Sequence, residues 1–455
     1  MKQTLPLVLF LLTIACSAQQ VVDNRDRAVV FRNVNVIPMH TEQVLEKQDV
    51  IVQNGKVMSI GATGKGTVPT NALVVDGTGK YLIPGLAEMH AHVPPVDDLE
   101  PMKEVLQLFA VNGVTTIRGM LGHTRHLELR SKINSGEILG PRFFTSGPSF
   151  SGGSIKTPEA AAELVRSQKK AGYDFLKLHP GLTKETFAAM AKTAKEVGIP
   201  FAGHVSFDVG VWTAIDAGYA TIDHLDGFVE SLVPGMDTIK EPDAGLFGMF
   251  IGHKADTSGM LKLMIALRNN NIWVVPTQAL AERWFHPNRT AEMLAGEPEM
   301  KYMNPDVVKG WVNSKKNIMS NARYNADNIL SFINVRKQLI EACNRNGVKL
   351  LLGSDAPQVF DVPGFSIHHE LQYMVDAGLT PYEALRTGTV NVGEFYQHAD
   401  WGVVQPGAAS DLVLLNGNPL TNISQTRNIE GVMLGNRWLS KAYIDATLKG
   451  LEKIK

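Results

Sequence analysis

The chain has 455 residues, with 44 Lys plus Arg against 45 Asp plus Glu and 44% hydrophobic residues. That length exceeds one small core and suits a large barrel with a companion domain. The balanced charge gives no sign of a nucleic-acid or polyanion partner,, and no stretch is long and apolar enough for a stable membrane span.

The first residues read as a secretory signal. Lys2 precedes the apolar run Leu5 to Ile14, and Ala15, Cys16, Ser17 and Ala18 supply small residues for cleavage,. The expectation is export to a periplasmic or extracellular space, with residues 1–18 removed. A competing reading is a lipoprotein signal acylated at Cys16. Thr13 fits poorly three residues before such a cysteine, so simple export is preferred. Cys343 then remains as a single thiol, which excludes an internal disulfide and leaves His and carboxylates as metal ligands,.

From Val29 to Ile83 the texture is that of strands. Val50-Ile51-Val52 and Val57 to Ile60 flank Asn54-Gly55, a hairpin turn,. Similar β texture returns at Leu412 to Leu415 and Gly431 to Leu434, before a turn at Gly435-Asn436. Between these ends, short apolar runs alternate with helices. Thr157-Pro158 and Gly172 bracket one helix, Thr183 and Gly198 a second, and Thr380-Pro381 opens another,. Eight strands are predicted: Glu88 to His92, Val114 to Arg118, Arg142 to Thr145, Phe175 to Leu178, Phe201 to His204, Thr221 to His224, Trp273 to Pro276 and Leu350 to Gly353. The fold class is α/β, a (β/α)₈ barrel over 85–400, with a small β-sandwich domain built from 19–84 and 401–455. The Met-, Trp- and Arg-rich stretch 281–325 reads as a helical excursion after the seventh strand, with packing or a lid as its role.

His90-Ala91-His92 is the most telling motif, because strand side chains alternate and both imidazoles fall on one side,. Lys177, His204, His224 and Asp355 close or follow the fourth, fifth, sixth and eighth strands. Active sites of such barrels lie at those C-terminal ends, so six residues converge on one mouth. Individually, His204 or His224 reads as a core histidine and Asp355 as a helix cap; jointly they read as a site. Arg118 and His123 are candidates for substrate contact, with a buried salt bridge the equal alternative for Arg118. His179 faces the same mouth or is structural. His368-His369-Glu370 reads as capping or solvated surface.

With IPGLAEMHAH at the entry, GVTTIRG around Arg118 and the closing WGVVQPGAASDLVLLNGNPL, the chain resembles the amidohydrolase superfamily, in its imidazolonepropionase-related and prolidase-like branch. The resemblance implies two divalent metal ions, zinc by preference, with manganese, cobalt and iron also compatible with such ligands. It implies a carboxylated Lys177 as the bridge, His90, His92 and Asp355 on one ion, and His204 and His224 on the other. It implies Asp355 as the group that takes a proton from the attacking water and returns it to the leaving group. The implied reaction is hydrolysis of a C–N amide bond in a dipeptide, N-acyl amino acid or cyclic amide. Lactone or ester hydrolysis, a mononuclear deaminase and a non-catalytic exported binding protein are the alternatives. Superfamily deaminases carry a glutamate three residues after the strand-5 histidine, where this chain has Phe207. Many peptidase-like members have a histidine in the glycine-rich loop after strand 3. Here that loop, Ser146 to Ile155, has none. The family habit is a homo-oligomer.

Overall fold

The computed structural model describes residues 21–453; the signal segment 1–18, Cys16 included, lies outside the described residues. Two groups of parallel strands form most of a barrel. Leu86–Ala91, Val114–Gly119 and Arg142–Thr145 make one group; Leu176–Leu178, Phe201–Gly203, Thr221–Asp223 and Trp273–Val275 make the other. Bridges between Ser146 and Phe175 and between Phe150 and Leu178 join them. The eighth position is not a regular strand. Leu350 pairs with Val274 by a single bridge, Leu351 N donates to Val274 O at 2.8 Å, and Met89 N donates to Leu352 O at 2.8 Å. That is enough to close the ring. The predicted run is in place, and at its end Gly353 is pressed between the first and seventh strands. A Cβ there would lie 2.6 Å from Val275 Cγ1 and 2.9 Å from His90 N.

Every residue of the first two barrel strands is buried, Glu88 and His90 included. Strands covered on both faces read as continuous apolar runs, so a polar residue inside one needs partners. Glu88 accepts from His90 N at 3.1 Å and Ser354 N at 2.8 Å, and from Ser354 Oγ at 2.5 Å. It ties the first strand to the eighth. The helix caps follow the predicted punctuation. Thr157 and Thr183 accept from Ala160 N and Thr186 N at the starts of Pro158–Ala171 and Lys184–Val197, and Gly172 and Gly198 take left-handed φ of 90° and 66° at their ends. Each N-cap contributes about 1 kcal/mol.

The termini meet in a nine-stranded mixed sheet. Leu45–Gln53 and Lys56–Ala62 form the predicted hairpin, with Asn54 and Gly55 at φ 52° and 72°. Phe31 and Trp438 lie four strand steps apart along the hydrogen-bond path, roughly 19 Å in a flat sheet. Their ring centroids are 5.1 Å apart. The sheet therefore folds over on itself as a β-sandwich, and Val29, Val36, Val50, Leu82, Leu412 and Met433 fill its interior. The C-terminal helix Lys441–Leu451 packs back on the barrel helix Glu100–Val111.

Two excursions interrupt the barrel. Residues 278–319 form helices Gln278–Trp284, Ala291–Ala295 and Pro305–Met319, and Leu294, Met300, Trp311 and Phe360 give them an apolar core of their own. The second, 228–259, is a series of short turns of helix after the sixth strand. It has weak periodicity and no sequence signal set it apart, yet it carries Phe247 onto the site.

Candidate active site

All six converging residues stand at one end of the barrel. His90 sits within the first strand and His92 just beyond it, Lys177 is the centre of the fourth, and His204 and His224 directly follow the fifth and sixth. Asp355 follows the eighth segment. His224 and Asp355 both hold positive φ, 64° and 71°, a conformation costing about 1–3 kcal/mol in a residue with a side chain. Backbone bonds impose it: His224 N donates to Val275 O at 2.8 Å, and Asp355 N to His90 O at 3.0 Å. Gly203, at φ 119°, lets the Lys177 stem pass, since a Cβ there would lie 2.9 Å from Lys177 Cδ.

The side chains are aimed from behind. His90 Nδ1 lies 2.8 Å from Asp223 Oδ2, His204 Nδ1 2.9 Å from Asp226 Oδ2, and His224 Nδ1 2.8 Å from Thr277 Oγ1. The hydrogen bonds to Asp226 and Thr277 fix the His204 and His224 rings, whereas His90 Nδ1 meets Asp223 as a close ion-pair contact without hydrogen-bond geometry,. At the centre, Asp355 Oδ1 lies 3.0 Å from His92 Nε2 and 3.3 Å from His90 Nε2, and Lys177 Nζ is 3.2 Å from His90 Nε2. The His204 and His224 rings lie 4.4 Å apart between centroids, tilted by 30°, and Phe247 stacks on both, 6.0 and 5.2 Å away.

Burial sets the protonation. It holds the His90, His92, His204 and His224 imidazoles well below their ordinary range, brings Lys177 down to about 8 and lifts the Asp355 carboxyl to about 8. Neutral imidazoles are the metal-binding form. His92 Nε2, His224 Nε2 and Asp355 Oδ1 are buried with no hydrogen-bond partner among the described residues. Buried polar atoms are rarely left so. Ligand atoms of His90, His92 and Asp355 all lie within 4.8 Å of one another. This donor set fits a divalent cation.

The other candidates sit elsewhere. Arg118 is buried beneath the site, where Nε donates to Met89 O at 2.7 Å and Nη2 faces Thr221 Oγ1 at 3.0 Å and Asp223 at 3.4 Å. Its guanidinium steadies the Asp223 carboxylate instead of facing the mouth. His123 lies in the loop after the second strand, with Nδ1 accepting from Arg125 N at 3.3 Å and Nε2 3.9 Å from Asp97. The His179 ring stands 5.4 Å from His204. The expectation of solvated surface at 368–370 is overturned: His368 is buried between Asn112 O and Thr426, and Glu370 is buried accepting from Gln278 N and Ala279 N. Glu370 thereby caps the helix after the seventh strand. Sequence reasoning missed Asp223, Asp226 and Thr277. The two aspartates flank His224 in TIDHLDG, a visible signal; Thr277, in an ordinary strand exit, gave none.

A barrel of this closure brings a convergent His, Lys and Asp set, able to hold a metal ion, to its mouth,. The amidohydrolase family model matches residues 81–439, and the chain belongs to that family. The adenine deaminase of Ruegeria sp. strain TM1040 is 31% identical over 64 residues, 14% of this chain and 11% of the deaminase. The match thus spans only a small part of that relative. Bottromycin amidohydrolase superposes with a TM-score of 0.71 at 21% identity, covering 93% of this chain and 90% of its own. A Xaa-Pro dipeptidase with methionine bound in its active site superposes with a TM-score of 0.66 at 20% identity, covering 91% and 100%. These structural likenesses speak to the fold.

Proposed function

We propose that the protein is an exported, binuclear amidohydrolase that cleaves the C–N amide bond of a dipeptide, an N-acyl amino acid or a cyclic amide. The observation that carries this reading is the convergence of buried, unpartnered His92 Nε2, His224 Nε2 and Asp355 Oδ1 at the barrel mouth. His90, His92 and Asp355 would hold one ion and His204 and His224 the other. Lys177, in its neutral form, adds through Nζ to carbon dioxide and releases a proton, giving a carbamate anion able to bridge them. When bound, zinc or a similar divalent ion supplies charge that polarises the amide carbonyl and lowers the pKa of water.

The chain's own groups do the rest. Asp355, beside His90 and His92 at the mouth, takes the proton of the attacking water and passes it to the leaving amine,. Phe247 and the rings it touches exclude bulk water from one side,. Phe207, with no titratable group, occupies the position where deaminases of the superfamily carry a glutamate, which favours amide hydrolysis over deamination.

Elemental analysis of protein prepared with bicarbonate and without chelators tests the reading. About two metals per chain, with turnover on a panel of dipeptides and N-acyl amino acids, is the expected result. One ion favours a mononuclear enzyme, and none after reconstitution removes the hydrolase reading. Export rests on the N-terminal sequence alone. A secreted product beginning at Gln19, seen by mass spectrometry, is expected; an unprocessed chain in the cytoplasm would contradict it.

A further inference from the structure

His179 is a polar side chain at the mouth that the proposed reaction leaves unused. It stands two residues beyond Lys177, and its ring meets the His204 ring edge to face at 5.4 Å between centroids. His90, His204 and His224 each set a ring nitrogen against a carboxylate or hydroxyl behind them, and His92 sets one against Asp355. Neither nitrogen of His179 has a hydrogen-bond or ion-pair partner among the described residues. This half-buried imidazole therefore keeps a donor and an acceptor free beside the site,.

Its main chain is held although its ring is free. His179 N donates to Phe150 O at 2.7 Å, and His179 O accepts from Ser206 Oγ at 3.5 Å, so the loops after the third and fifth strands fix it from both sides. Pro180 follows, and a proline narrows the residue before it to extended backbone. The same pairing orders the wall next to it. Phe150 bridges Leu178, and both side chains are buried in the apolar core. Alternation along the two segments turns Ser149, Lys177 and His179 the other way, toward the mouth. Ser149 Oγ is buried there with no hydrogen-bond partner among the described residues.

Strand order gives the arrangement its meaning. His179 follows the fourth strand and Asp355 the eighth segment, which are opposite walls in a ring of eight. An amide carbonyl between them meets the proton acceptor on one side and an N–H donor on the other. Attack on a carbonyl needs that division. As the water oxygen bonds to carbon and its proton passes to Asp355, the C=O π electrons move onto the carbonyl oxygen, and the new negative charge calls for donors.

We propose that His179, seconded by the Ser149 hydroxyl, is a catalytic hydrogen-bond donor to the carbonyl oxygen of the scissile amide. The assignment rests on the amidohydrolase reading above. His179 gives up no proton in the step; its N–H stabilises the oxyanion more than the neutral carbonyl, so it acts on kcat more than on KM. The fixed main chain spares reorganisation at the moment of reaction.

The test is steady-state kinetics of metal-loaded His179→Leu, His179→Gln and Ser149→Ala on the fastest substrate of the dipeptide and N-acyl amino acid panel. Loss of one such donor costs about 10²–10³-fold in kcat. His179→Leu is expected to lose about 10²-fold in kcat with KM within about threefold, and His179→Gln to recover about tenfold through its amide N–H. Ser149→Ala should lose about tenfold in kcat, and metal content should match wild type in all three. Calorimetry adds a readout apart from turnover: the phosphinate isostere of that substrate, with PO₂–CH₂ in place of CO–NH, should bind His179→Leu about 10²-fold more weakly than wild type. A rise in KM with kcat unchanged would make His179 a ground-state contact, and a fall in metal content parallel to kcat would make it a support of His204; either overturns the proposal. If His179→Leu does not fold, Ser149→Ala tests the same donor pair, and wild-type kcat in it overturns the pairing. Wild-type kcat and phosphinate affinity in His179→Leu would sink the assignment while the hydrolase reading stands. A wild-type protein that turns over no amide on the panel removes that reading, and this assignment with it.

Discussion

Asp223 Oδ2 stands 2.8 Å from His90 Nδ1, and Arg118 approaches the same carboxylate at 3.4 Å from beneath the barrel mouth. The buried Arg118–Asp223 pair thus stands behind the first histidine of the HAH motif, and Arg118 has a partner in the fold itself. Asp223→Asn keeps the shape but weakens the grip on the ring. The expected result is a loss of metal affinity of about 10–100-fold, read by metal content after dialysis against buffered free metal. Unchanged affinity would remove Asp223 as a positioning residue.

Lys177 is buried at the centre of a three-residue strand, in contact with His90 Nε2 at 3.2 Å. Lys177→Ala should reduce turnover by on the order of 10³-fold or more, while circular dichroism keeps the wild-type helix content. Full activity in that variant would sink the carbamate bridge. Asp355→Asn is expected to retain some metal and lose turnover; near-normal rates would exclude it as the proton shuttle.

Gly203→Ala tests the crowding behind Lys177. The new Cβ would lie 2.5 Å from Leu178 O and 2.9 Å from Lys177 Cδ, at a φ of 119° that L residues rarely adopt. Destabilisation of about 1–3 kcal/mol, with reduced metal retention, is the expected outcome in a denaturant titration. Wild-type stability would mean the lysine stem has another path.

Chelation should unfold the protein more easily than any surface change. A ligand at about 100 times its Kd stabilises the folded state by about 2.7 kcal/mol, so the metal-loaded form is expected to melt several degrees above the stripped form. Coincident melting curves with and without chelator would argue that the unpartnered donors do not bind an ion.

The barrel strands were legible because most are short apolar runs set between helix signals, and the helices because Thr157, Thr183 and Thr380 stand as N-caps before helical sequence. The converging residues stood out for a related reason: a lysine inside the apolar run YDFLKLH is unusual in a barrel strand. What was not legible depended on distant approach. Gly353 is a glycine because the first strand presses on it, and Thr277 faces His224 only once the sixth and seventh strands are paired. The 228–259 excursion has no repeating apolar pattern, so its hold on Phe247 became visible only in three dimensions.

Asn24 lies fully buried where both ends of the chain meet. Its backbone N donates to Asn436 O at 2.6 Å, its carbonyl accepts from Asn54 N at 3.2 Å, and its Oδ1 accepts from Gly55 N at 2.9 Å. Next to it, Asn436 Nδ2 donates to Asp23 Oδ1 at 2.7 Å across 413 positions of sequence. The β-sandwich is therefore a clasp whose two halves are separated in sequence by the whole barrel. Without Leu412–Leu415, Ile429–Leu434 and Arg437–Ser440, the strand Tyr81–Pro84 would lose a neighbour and expose an edge,.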